Sequence, residues 1–213
     1  MNGLGGGVDL VKYQDSNAAI EVTADDVPDD GTAGEGDDVS SDVEDLWGGA
    51  GDDLLIGTAA ANVLIGGPGD DRLRGQGGDD VFYGDEGNDR FDGGSGDDTV
   101  EALSGGGSRD ADLFAGGSGV DTVSYRFRST PLRVSLDGVA DDGAAGERDN
   151  NRADVENVVG GHLSDVLIGN ASANALTSDY GQDTSTAWAA TTGSPAVRTP
   201  TQPTTPTAGH PCG

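Results

Sequence analysis

The chain has little from which an ordinary core could be built. Its single cysteine, Cys212, has no partner within the chain, which excludes an intrachain disulfide. With two histidines besides, zinc is a poor fit as a repeated ligand. Hydrophobic residues make up 33% of the sequence and aromatics 5%, too little for a core of normal density. No run reaches the ~18–20 apolar residues that a membrane-spanning helix requires. No basic-then-apolar leader follows Met1, so no N-terminal secretory signal is read. Cations are scarce: 11 lysines and arginines face 39 acids, a net charge of -28 that repels nucleic acid and anionic membranes and leaves cations as the natural partners. Catalytic motifs are absent too. There is no H-E-x-x-H, no G-x-S-x-G and no P-loop, and the chain is read as non-enzymatic. Such a composition by itself reads as disorder.

Glycine is the exception, with 38 residues, and it recurs with a period of nine. From Gly48 to Glu101 the units are GGAGDDLLI, GTAAANVLI, GGPGDDRLR, GQGGDDVFY, GDEGNDRFD and GGSGDDTVE. After an insertion, Ala102–Gly106, come GSRDADLFA and GGSGVDTVS, ending at Ser124. GGHLSDVLI and GNASANALT follow from Gly160 to Thr177, and LGGGVDLVK, Leu4–Lys12, is a partial copy. Position six holds Asp9, Asp53, Asn62, Asp71, Asp80, Asp89, Asp98, Asp112, Asp121, Asp165 and Asn174. Position eight is always apolar, from Val11 through Leu55, Leu73, Phe82 and Phe91 to Leu176. A longer period overlies this one. Val8–Gly57 aligns without a gap on Val120–Gly169, with nearly half the residues identical. One module, a linking segment followed by nonapeptides, has been used twice.

The sequence divides into a partial repeat and linking segment (1–47), nonapeptides (48–124), a second linking segment (125–159), further nonapeptides (160–177) and a tail (178–213). In the linking segments, Ile20–Val22 and Leu132–Leu136 alternate as short strands do. These segments are expected to continue one sheet stack with larger loops. Their acidic loops, DDGTAGEGDD and DDGAAGERDN, lack the order of an EF-hand and are read as solvated turns. Trp47 and Tyr125 are read as packing caps, and His162 as facing solvent. The repeat is read as failing at Ser178. The Thr/Pro-rich tail is read as a flexible linker, with a shifted reading frame from Ala187 as the alternative.

Glycine-rich positions one to six read as a turn and positions seven to nine as a strand with its middle side chain inward. Two nonapeptides make one coil, and coils stack as parallel strands about 4.8 Å apart. Asp53, Asp71 and Asp89 would then line one edge, and Asn62, Asp80 and Asp98 the other. Carboxylates stacked so closely need a counter-charge. A hard cation taking about six to eight oxygens from carboxylates and carbonyls supplies it, and flexible geometry favours calcium over magnesium. Each unit buries one aliphatic or Phe side chain, worth about 1.5–3 kcal/mol. Ordering its backbone costs about 1–2 kcal/mol per residue, so metal binding is expected to drive folding.

GGPGDDRLR and GGSGDDTVE resemble the RTX, or hemolysin-type, calcium-binding nonapeptide GGxGxDxUx. The resemblance implies an all-β fold, a parallel β-roll with several Ca2+ ions in its turns, and bacterial secretion through an exporter. Carried over by position, it implies as ligands Asp9, Asp53, Asp71, Asp80, Asp89, Asp98, Asp112, Asp121 and Asp165. Beside them it places the turn glycines Gly49, Gly51, Gly67, Gly69, Gly78, Gly87, Gly94 and Gly96. The units with Asn at position six, and GGHLSDVLI with Leu163 in place of glycine, depart from the pattern. The fifth-position acids Asp52, Asp70, Asp79 and Asp97 are read as facing solvent. Two functions fit: a secreted, non-catalytic calcium-binding scaffold or adhesion module, or the repeat region of a larger secreted enzyme or toxin. A chain beginning inside a repeat is expected of a fragment.

Overall fold

The computed structural model describes residues 7–101, 110–178 and 180–187. The insertion at 102–106, the Thr/Pro-rich stretch 188–213 and its alternative reading frame lie outside those residues.

Strands recur once per nonapeptide at positions seven to nine, where turn-forming residues are few, and three of them, Arg72–Gly77, Arg90–Ser95 and Leu113–Ser118, run three residues into the next unit. The position-eight side chain of each is buried and its neighbours are partly exposed, as alternation across a strand requires. On one face eight strands stack: Leu10–Lys12, Asp45–Trp47, Val63–Ile65, Val81–Tyr83, Thr99–Glu101, Thr122–Ser124, Asn157–Val159 and Ala175–Thr177. All are parallel, and the register places Leu46 on Leu64, Leu64 on Phe82 and Phe82 on Val100. The opposite face carries Ile20–Thr23, Leu54–Ile56, Arg72–Gly77, Arg90–Ser95 and Leu113–Ser118, with Leu55 on Leu73, Leu73 on Phe91 and Phe91 on Phe114. The fold is therefore a parallel β-roll, two inward columns wide. Phe82 and Phe91 meet edge-on between the columns at 6.0 Å.

The first linking segment continues the stack, and the second does so only in part. In the first, Ile20–Thr23 forms a rung beneath Leu54–Ile56 and then turns out into an antiparallel pairing with Gly31–Thr32. In the second, Asn150–Asn151 caps the Phe114 column, while Leu132–Ser135 starts a separate sheet with Val166–Ile168 and Thr184–Thr186. Tyr125 fills the break; it is fully buried and its hydroxyl donates to Asp149 at 3.3 Å. The first acidic loop differs from a solvated turn at one acid, Asp30, and the second at three, Asp142, Glu147 and Asp149. Asp30 is buried, accepting from the N–H groups of Thr23 and Val39, and Asp142 accepts likewise from Ser135 and Asn151. The repeat also outlasts Ser178. Thr184–Thr186 is one more parallel rung, with Asp183 at position six accepting from Asp165 N–H at 2.9 Å. A serine, Ser185, at position eight hid this unit from a reading that required an apolar residue.

Candidate metal turns

Every turn of the roll is built around its position-six side chain. One oxygen ties successive coils together. Asp71 Oδ1 accepts from Asp53 N–H at 2.8 Å, Asp89 Oδ1 from Asp71 N–H at 2.9 Å, and Asp80 Oδ1 from Asn62 N–H at 2.7 Å. Asp98 and Asp121 do the same for Asp80 and Asp98. This bond satisfies the buried N–H at each strand entrance, which explains why an acceptor recurs there. The fifth-position acids run the reverse ladder on the outside: Asp52 accepts from Asp70 N–H, and Asp79 from Asp97 N–H. They are exposed or nearly so, and they bind backbone.

The second oxygen divides the turns into two classes. In Asp71, Asp80, Asp89, Asp98 and Asp121, Oδ2 is buried with no hydrogen-bond partner. It lies so close over the first glycine of its own turn that a Cβ on Gly66, Gly75, Gly84, Gly93 or Gly116 would stand 1.9–2.3 Å away. In each of these turns positions two and four both take left-handed backbone: Gly67 and Gly69, Gln76 and Gly78, Asp85 and Gly87, Gly94 and Gly96, Gly117 and Gly119. The position-two N–H is thereby turned away from the carboxylate; that of Gly67 donates to Gly84 O. Stacking is tight enough that a Cβ on Gly87 would meet Gly69 O at 1.9 Å.

In the second class the turn closes on itself. Gly49 N–H donates to Asp53 Oδ2 at 2.6 Å, and Gly161 N–H to Asp165 Oδ2 at 2.8 Å. Thr58 and Asn170 donate likewise to Asn62 and Asn174. None of the residues at positions two and four of these turns has left-handed backbone. The asparagine amides complete the closure, Asn62 donating to Glu44 O at 2.9 Å and Asn174 to Glu156 O at 3.1 Å.

Asp9 and Asp112 belong to turns whose first residues lie outside the described set. Asp9 donates its N–H to Glu44 Oε2, and Asp112 Oδ1 accepts from Asp89 N–H. Glu44 and Glu156 occupy position six in the two linking segments, Glu156 accepting from Asp121 N–H. The nine-residue frame extended backwards from Gly48 and Gly160 finds both, although no glycine marks those units. Trp47 is partly exposed beneath the Lys12 ammonium, and His162 is exposed, edge-on to Tyr180.

Burial dominates the electrostatics of the first class. It pushes the carboxyls of Asp71 and Asp80 up to about 7 and that of Asp89 up to about 8, with neighbouring acids adding to the effect. Asp98 and Asp121 rise for the same reasons, Asp121 to about 6. An anionic oxygen held from water without a donor is stabilised by a proton or by a cation. Among the described residues no three His, Cys, Asp or Glu side chains converge on one point. A cation here would take one carboxylate oxygen per turn and would complete its shell with main-chain carbonyls, a donor set of hard oxygens suited to calcium. The residues present fit that ion.

The family model for the RTX calcium-binding nonapeptide repeat, which spans four copies, matches residues 40–73, 47–82 and 65–100. No curated protein matches the chain. The matched span covers four of the position-six acids with an orphaned oxygen, Asp71, Asp80, Asp89 and Asp98. Residues 40–100 are RTX calcium-binding nonapeptide repeats, a family whose repeats bind several calcium ions.

Proposed function

We propose that the protein is a secreted, non-catalytic calcium-binding module that folds when calcium fills its turns and then serves as a rigid extracellular scaffold or adhesion segment. Asp71, Asp80, Asp89, Asp98 and Asp121 supply the carboxylate ligands, and the carbonyls of their turns complete the shell. Gly67, Gly69, Gly78, Gly87, Gly94 and Gly96 allow the stacking that brings those carbonyls together. Asp53 and Asp165, with Gly49 and Gly51, form turns closed by protein hydrogen bonds, and these bind no ion. The observation that carries this reading is the set of five buried carboxylate oxygens without a donor, each in a turn with two left-handed residues.

Bound calcium offsets repulsion in a chain of net charge -28. Without it the carboxylates have water as their better solvent, and the chain stays open. Modules that work outside cells bind calcium at about 10⁻⁴–10⁻³ M, a concentration met after export. Calcium titration followed by circular dichroism and a count of bound ions tests the assignment. The parent is expected to gain β-structure with calcium, Asp53→Asn to bind as many ions as the parent, and Asp89→Asn to bind fewer. A spectrum indifferent to calcium up to tens of millimolar, or equal ion loss from both variants, refutes it.

A further inference from the structure

Four of the chain's 11 cationic residues, Arg72, Arg74, Arg90 and Arg152, line one groove on the outer face of the second sheet. The groove has a volume of about 270 Å³. Its floor is Leu113 and Ala115, whose side chains are short beside the arginines on the flanking strands. Arg74 and Arg152 stand in one outward column with Asp92 and Ala115 between them, and Arg72 is directly opposite Arg90 in the parallel register. All four are exposed.

In a protein with 39 acids, exposed arginines have every opportunity to pair, yet none of these four forms a salt bridge among the described residues. Like charges directly opposite on neighbouring strands destabilise a sheet. Asp92 is the one acid in the groove, so the lining carries an excess of positive charge. The outer positions of the eight-stranded face hold a single cation, Lys12, so the cluster does not follow from the repeat itself.

We propose that this groove is a binding site for an oxyanion group, a carboxylate or a sulfate, carried on a sugar-sized ligand. Guanidinium forks match such groups bidentately, and arginine is weakly hydrated enough to release water on contact. The volume lies just below the range of about 300–1,000 Å³ typical of small-molecule sites, which suits one saccharide unit. The ligand carbons rest on Leu113 and Ala115 while the oxyanion bridges Arg72 and Arg90, removing their mutual repulsion.

The test titrates inorganic sulfate and, separately, glucuronate into the full chain in calcium buffer where its spectrum is β-rich. Phosphate is avoided because it precipitates calcium. Binding is followed by calorimetry and by the guanidinium 15N signals of the parent, which locate the site without any variant. Saturable shifts at Arg72 and Arg90 are expected. Arg72→Gln/Arg90→Gln is expected to lose at least about tenfold in affinity, while Arg133→Gln, on another sheet, binds as the parent does. Preference for sulfate or for glucuronate supports the proposal in either case and identifies the source as a sulfated or a uronic ligand. No saturable shift with either probe overturns it. So does equal binding by the parent and the β-rich double variant, or an equal loss from Arg133→Gln.

Discussion

Replacing Asp89 by asparagine should change stability in opposite directions with and without calcium. In the parent, Asp89 Oδ1 accepts from Asp71 N–H at 2.9 Å, while Oδ2 is buried without a donor. Burial raises its carboxyl to about 8, with Asp112, Asp71 and Asp70 adding to the effect. Asparagine keeps the size and the acceptor and removes the charge. Asn62 shows what the amide can then do, donating to the carbonyl of Glu44 in the coil beneath at 2.9 Å. Without calcium, the variant is relieved of a buried anion and is expected to be more structured than the parent. With calcium, it lacks one carboxylate ligand. A site with a Kd of about 10⁻⁴–10⁻³ M contributes RT ln(1 + [L]/Kd), or about 1.4–2.7 kcal/mol at about 10 mM calcium, and the variant should lose roughly that much. Urea unfolding in calcium and the β-signal by circular dichroism in chelator, both at pH 8, read the two signs. A loss of stability in calcium with no gain, or a loss, of β-signal in chelator would mean that Asp89 acts through packing alone, and the argument would fail.

Acid should order the calcium-free chain. The folded carboxyls of Asp71, Asp80 and Asp89 lie at about 7, 7 and 8, above the unfolded value of 3.8. Their contribution to stability is therefore full below the unfolded value and lost as pH rises through the folded ones. Circular dichroism in calcium-depleted buffer should show β-structure increasing from pH 8 to pH 5; a flat or falling signal contradicts this. Gly87→Ala combines a φ of +142° with a Cβ 1.9 Å from Gly69 O and should cost about 3 kcal/mol or more. Gly146→Ala, at φ +107° with nothing within 4 Å, should cost only about 1–2 kcal/mol, and chemical denaturation in calcium compares the two. Phe82→Ala removes a fully buried ring that stacks between Leu64 and Val100 and should cost about 3–5 kcal/mol by the same measurement.

Much of the architecture was legible because a nine-residue period admits few structures. A lone apolar residue at position eight can be inward only if the strand is short and every coil repeats the last, and Leu55, Leu73, Phe82 and Phe91 are all buried. The two-edge arrangement of the position-six residues followed from the same arithmetic. Units without glycine were harder to see. Glu44 and Glu156 fill position six at rungs where the turn is made by other residues, so a reading keyed to glycine stopped short of them, while the Asp183 unit keeps Gly181 and was hidden by Ser185 at position eight. The arginine groove was not legible at all, since Arg152 lies far along the chain from Arg90 and joins it only through the stacking of Asn150–Asn151 on Leu113–Ser118.

By itself the sequence determined the repeat, its rungs, the inward column and an acid or amide at each strand entrance. These depend on spacing alone. Which turns are left open was decided by what lies beneath them. Asp53 and Asp71 sit in nearly the same nonapeptide, yet Gly49 rests on Ser16 O of the first linking segment, and Ala50 N–H donates to that carbonyl at 2.9 Å. Gly161 rests likewise on Arg128 O of the second. The turn of Gly67 rests instead on another nonapeptide, with Gly49 O beneath its Cα. The foundation sets the backbone angles of the second and fourth residues, and those angles decide whether an N–H reaches the carboxylate or leaves its oxygen for a cation.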